Sequence, residues 1–126
     1  MITIDIAGLT RLLNLTVVNN NSILIRSKPG RGVIAAIKEV YPNIACIVAS
    51  AMSEVFQEAQ VAAFIRQHPG KPVLLDLDMP ECVIAPQLDA YLLRHLANDG
   101  SLIIVCQGEV TMSQPMLNRM IITAIK

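Results

Sequence analysis

The sequence predicts an α/β fold, a three-layer sandwich built on a five-stranded, mainly parallel sheet. Two observations carry this expectation. Segments with helical spacing alternate with short apolar runs along the whole chain. The runs are apolar at successive positions, as strands covered on both faces by helices must be. The chain has 126 residues and shows no internal repeat, linker or low-complexity stretch, so one domain over 1–126 is expected.

Each element has its own signal. Ile6, Leu9, Leu12, Leu13 and Val17 recur at helical spacing, which predicts a short amphipathic helix over 6–17. Asn19-Asn20-Asn21-Ser22 is a polar turn, and Ile23 to Arg26 is the first strand. A Pro-Gly-Arg-Gly turn leads into a helix from about Gly32 to Val40, which Pro42 and Asn43 end. Ile44 to Ala49 is a second, buried strand, followed by a helix from Ser53-Glu54 to about Gln67 that His68-Pro69-Gly70 stops. Val73 to Leu77 is the third strand. A loop holding Pro80 and Pro86 precedes a helix over 87–96, and Asn98-Asp99-Gly100 turns into the fourth strand, Leu102 to Cys106. A short helix over 114–119, capped by Thr111 or Ser113, leads to a β-branched fifth strand, Met120 to Ile125.

Composition limits the function classes. Ten basic residues balance ten acidic ones, so no broad attraction to nucleic acid or anionic lipid is expected. Aromatic residues make up 3% of the chain, too few for a base-stacking platform. No apolar run reaches the roughly 20 residues of a membrane span, and MITIDIAGL has neither the basic region nor the cleavage site of a signal peptide. Cys46, Cys82 and Cys106 are widely spaced and odd in number, which predicts unbridged thiols in a reducing compartment, the cytoplasm. Hydrophobic residues are 53% and charged residues 16%, apolar enough to suggest a surface that pairs with another copy or another protein.

In parallel sheets, ligands lie at the carboxyl ends of the strands. The segment after the first strand, Ser27-Lys28-Pro29-Gly30-Arg31-Gly32, has the outline of a phosphate-binding loop. Such a loop uses glycines to bring backbone N–H groups to the phosphates and a helix N-terminus to attract their charge. It also uses a lysine for the outer phosphates and a hydroxyl for magnesium. Glycines and helix are present here, but the lysine and hydroxyl positions hold Val33 and Ile34. Lys28 precedes the glycines and does not replace the lysine from the same geometry.

The order "SILIRSKPGRG", "IACIVAS", "KPVLLDLDMP", "QLDAYLLRHLANDG", "SLIIVCQGE", "QPMLNRM" resembles the core of AAA+ P-loop ATPases, the MoxR-like and phage-borne groups above all. The resemblance covers nearly the whole chain. It implies a sheet in the order 5-1-4-3-2 and a phage or mobile-element source. Ser27 to Ile34 falls on the family's GPPGxGK loop with its following Thr or Ser, and Val73 to Leu77 falls on the Walker B strand, with Asp76 as its aspartate. Arg119 falls on the arginine of the family's "PaLLnRF" segment, which works at subunit interfaces.

The departures all fall on the chemistry. Val33 and Ile34 remove the phosphate lysine and the magnesium ligand, and Leu77 stands where the water-activating glutamate would be. Gln107 only partly replaces the polar sensor, and the family's helical lid has no counterpart in these 126 residues. Phosphoryl transfer rests on positioning and charge stabilisation, and one lost contact of this kind costs on the order of 3–4 kcal/mol. The expectation is therefore a catalytically inactive interaction or assembly module with no cofactor. Its partner would be another protein or another copy. Weak nucleotide or anion binding is the most its glycine turn would support.

Rival readings are a nucleotide-binding enzyme with non-standard phosphate contacts and a degenerate receiver domain with Asp76 as phosphoacceptor. The receiver reading lacks an acidic pair after the first strand, where Arg26 and Ser27 stand. Asp76, Asp78 and Glu81 could be taken for an oxygen-ligand metal cluster, although solvated acids at a strand end explain them, and no metal is expected. His68 is read as a turn residue and His95 as a packing residue. Ser50 and Ser53 are read as caps.

Overall fold

The computed structural model describes residues 2–19, 21–50 and 54–126. In chain order these form β1 (Ile2–Ile4), α1 (Ile6–Asn19), β2 (Ser22–Arg26), α2 (Val33–Val40), β3 (Ala45–Ser50), α3 (Glu54–Arg66) and β4 (Pro72–Asp78). There follow β5 (Cys82–Val83), α4 (Pro86–Ala97), β6 (Ser101–Cys106), β7 (Val110–Thr111), α5 (Gln114–Leu117) and β8 (Met120–Ile125).

The main sheet has six strands in the order β1-β8-β2-β6-β4-β3, and every neighbouring pair is parallel. The five expected strands are all present. Counted in chain order, they lie 5-1-4-3-2. The sixth is β1, which corrects the expected five. It pairs Ile2–Ile4 with Thr123–Ile125 at the edge beyond β8. A three-residue strand carries too little pattern to stand out, although Ile2, Ile4 and Ile6 do alternate with polar residues. A second, two-stranded parallel sheet joins β5 to β7.

Register explains the two-sided core. Ile122, Leu24, Ile104, Leu75 and Ile47 align across the sheet in one row. That row packs against Val61, Ala62 and Ile65 of α3 and Leu88, Leu92 and Leu96 of α4. The next row, Ile121, Ile23, Ile103, Leu74 and Cys46, turns the other way. It meets Leu9 and Leu13 of α1 and Val33, Ala36 and Ile37 of α2. Period-two alternation along each strand therefore feeds two separate apolar layers. Leu and Ile side chains buried this way contribute about 1.5–3 kcal/mol each.

The helix ends follow local chemistry. The Asp5 carboxylate accepts the Gly8 N–H at 2.7 Å and caps α1. Pro86 opens α4, where its missing N–H costs nothing. Ser113 caps α5 by accepting the Met116 N–H at 3.3 Å, one of the two residues proposed for that role; Thr111 belongs to β7.

The second expected strand is not fully buried. As β3 it is an edge strand; Ala45, Cys46 and Ile47 are half-buried and Val48 is 60% exposed. Its apolar composition is that of a central strand, which misleads a reading from pattern alone. Among the described residues, no helix is long and apolar enough to cross a membrane.

Candidate functional site

The Ser27–Gly32 segment lies where the fold expectation puts a ligand site, between the carboxyl end of β2 and the start of α2. Together with Asp76, Asp78, Val105, Cys106 and Gln107 it lines a cleft of about 270 Å³. Ser27 is buried; its N–H donates to the Cys106 carbonyl at 2.9 Å, and its hydroxyl donates to the Lys28 carbonyl at 3.0 Å. Those bonds lock the first residue of the loop to β6 and leave Lys28, Pro29, Gly30, Arg31 and Gly32 exposed.

Gly30 and Gly32 have φ of +80° and +75°. A Cβ at either position would meet nothing within 4 Å. The left-handed backbone, and not crowding, is what requires glycine here. Gly32 is the N-cap of α2 and offers no side-chain cap, and no acidic residue occupies the first turn. The helix start thus keeps its positive end toward the cleft.

Val33 and Ile34, the two positions to which the resemblance would assign phosphate chemistry, turn toward the core. Val33 is 5% exposed and packs with Leu9, Leu13 and Ile25. Ile34 is half-buried against the same layer. Position 33, where the resemblance would call for a lysine, is part of the core.

The opposite wall is acidic. Asp76 and Asp78 alternate on β4 and share the sheet face of α2. Partial burial holds the Asp76 carboxyl above the usual carboxylate range, and the neighbouring Asp78 adds to this while Lys38 opposes it. Burial likewise pushes the Cys46 thiol up, Lys38 opposing and Asp76 adding. Lys38, in the last turn of α2, is thus the cation that acts on both groups. Asp78 is engaged: its Oδ1 accepts from the Gln107 side-chain amide at 2.9 Å. Gln107 thus bonds to an acid on the cleft wall. Lys28 and Arg31 stand on the loop side, so the cleft carries both signs of charge.

The rim behind these acids is tightly built. The Met79 carbonyl accepts the Gln107 N–H at 3.3 Å and the Cys106 thiol at 3.4 Å. Gly108 lies so close to the Pro80 carbonyl that a Cβ there would collide with it. Cys82 N–H to Glu109 carbonyl (3.0 Å) and Ile84 N–H to Thr111 carbonyl (2.8 Å) continue the clamp into β5 and β7.

The structure brings together the glycine turn and Asp76, and separates them from Arg119. Arg119 is exposed beside Asn21, Ser22, Gly100 and Asn118, at the amino ends of β2, β6 and β8. That is the opposite end of the sheet. Glu81 is also apart from Asp76 and Asp78; it borders a groove with Ala49, Val61, Leu75 and Leu77, on the α3 and α4 side. Among the described residues, no group of three or more His, Cys, Asp or Glu is placed to hold a metal ion.

His95 is buried, and its Nε2–H donates to the Lys71 carbonyl at 2.8 Å, a packing role. His68 is half-buried, donating from Nδ1 to the Phe64 carbonyl at 2.8 Å. None of the three cysteines is bridged. Ser53 lies outside the described residues, as does the side chain of Ser50. Asp89 escaped the sequence reading: its carboxylate is buried on α4 and grips Ser113. A lone acid on an otherwise amphipathic helix gives no signal of burial.

No protein-family model, curated protein or solved structure matches this chain.

Proposed function

We propose that this chain is an AAA+-like, P-loop-NTPase-type module that does not hydrolyse nucleotide and serves as a protein-interaction or assembly element. The observation that carries the reading is the burial of Val33. The glycine turn keeps its left-handed backbone, φ +80° and +75° at Gly30 and Gly32, while the side chain that should reach a phosphate is packed among Leu9, Leu13 and Ile25.

Three further observations support it. The five core strands lie in the order 5-1-4-3-2, with the glycine turn after the first of them. The Walker B-like strand ends in Asp76 and Asp78 facing the cleft. A triphosphate there would meet two carboxylates, and Val33 and Ile34 supply neither a lysine for its outer phosphates nor a hydroxyl for a bridging cation, leaving its charge poorly compensated. Arg119 sits at the far end of the sheet, so any part it plays is at a surface and not in this cleft. The same strand order argues against the receiver reading. A receiver sheet runs 2-1-3-4-5, with the phosphoacceptor strand beside the first, whereas β6 stands between β2 and β4.

Phosphate release from ATP and GTP with magnesium tests the proposal. The expected rate equals that of buffer. Release that Asp76→Asn abolishes would establish the enzyme reading instead.

A further inference from the structure

The β3 edge is built unlike the edges that proteins protect. Sheets blunt their edges with short strands, charges, proline or bulges. The opposite edge follows that rule, since β1 has three residues. In contrast, β3 has six residues, Ala-Cys-Ile-Val-Ala-Ser, with no charge, no proline and no glycine. Among the described residues it is paired on one side only, with β4. Alternate N–H and C=O groups therefore face outward in a strand of high β-propensity. Val48 stands 60% exposed in the middle of it.

We propose that two copies of this chain join by antiparallel pairing of β3 about a two-fold axis at Val48, which makes one continuous sheet. The proposal names the partner that the assembly reading leaves open and rests on the interaction half of that reading, not on the absence of ATP chemistry.

Symmetry fixes what meets what. A two-fold axis perpendicular to the sheet keeps each face on its own side, so even-numbered positions oppose even-numbered ones. With the axis at Val48, that side chain lies against the partner's Val48, a β-branched cross-strand pair that covers the exposed position. Position 46 then opposes position 50 of the partner. Because Ser50 is in register with Asp78, the partner's Asp78 lies two strands from Cys46, about 10 Å away. Cys46 packs in the layer that α2 covers, and Lys38 of α2 is the cation that acts on both Cys46 and Asp76. The pairing therefore adds the partner's Asp78 to the carboxylates near that cation, and the axis repeats the arrangement. Lys38 and Asp78 are both exposed in the single chain. Ten basic and ten acidic residues leave no net charge to push the copies apart. One surface supplies both halves of the contact, so no other sequence is needed.

Light scattering after size exclusion, from about ten to several hundred micromolar, reads the state directly. Wild type is expected at twice the mass of one chain. Val48→Lys, which sets like charges across the axis at a position open to solvent, is expected at the mass of one chain with an unchanged circular-dichroism spectrum. In a Cys46→Ser, Cys82→Ser background, Val48→Cys is expected to give a disulfide-linked dimer on mild oxidation, whereas Ile2→Cys on the other edge stays unlinked. Wild type at single-chain mass throughout, a dimer that folded Val48→Lys leaves intact, or cross-linking through Ile2→Cys would overturn the proposal. Each of these leaves the phosphate-release result standing, so the two readings fail separately.

Discussion

Asp89 holds Ser113 with both carboxylate oxygens. Oδ1 accepts the Ser113 hydroxyl at 2.6 Å, and Oδ2 accepts its backbone N–H at 2.9 Å. Ser113 in turn caps α5 through the Met116 N–H. A buried acid on α4 thereby fixes the approach to β8, the strand between β1 and β2.

Asp89→Ala is expected to cost about 2–3 kcal/mol, because charge-assisted bonds are lost and the Ser113 donors are left unpaired. Asp89→Asn keeps one acceptor and should lose less. Urea unfolding of the two variants checks the order, and an Asp89→Ala variant as stable as wild type would remove the bond's structural role.

Gly108 and Gly32 are glycines for different reasons, and substitution should separate them. Alanine at Gly32 meets open space but must hold φ +75°, a cost of about 1–2 kcal/mol. Alanine at Gly108 collides with the Pro80 carbonyl and must displace backbone, about 3 kcal/mol or more. Equal losses in thermal or urea unfolding would contradict this account of the rim.

The raised Asp76 carboxyl sets a pH dependence. The folded state binds this proton more tightly than the unfolded state does. Its contribution is therefore full below the ordinary carboxylate range and is lost as pH rises through the raised value. Asp76→Asn removes that loss. The stability of the variant relative to wild type should grow between pH 4 and pH 7, as followed by urea midpoints. A difference that stays flat with pH would show that Asp76 titrates normally.

Thr123 is fully buried on β8, and its hydroxyl has no hydrogen-bond partner among the described residues. Thr123→Val removes a desolvated polar group at nearly constant shape. It should raise stability by about 1 kcal/mol, read as an increase in the unfolding midpoint.

Most of the fold was legible in the sequence because the central strands are uninterrupted apolar runs set off by strong turn signals. "SLIIVC" and "VLLDLD" admit few other readings, and Met120 to Ile125 ends where the pattern ends. What failed was what pattern does not encode. Ile2–Ile4 is too short to announce a strand, and β3 has the composition of a centre but the place of an edge. At the cleft, the glycine turn stood out by its pattern, and Asp76 by its place at a strand end and by the resemblance. The Asp78–Gln107 bond and the Asp89–Ser113 grip did not, since each joins residues more than twenty positions apart. The destination of Val33 could be guessed from its chemistry, but only packing shows that it belongs to the core.

On the proposed reading, this glycine turn keeps the backbone of a phosphate loop without its charge chemistry. Calorimetric titration with ATP, with and without magnesium, is the sharpest test of that reading. No saturable heat in the micromolar range is expected under either condition. Micromolar binding that depends on magnesium and is abolished by Gly32→Arg would contradict it.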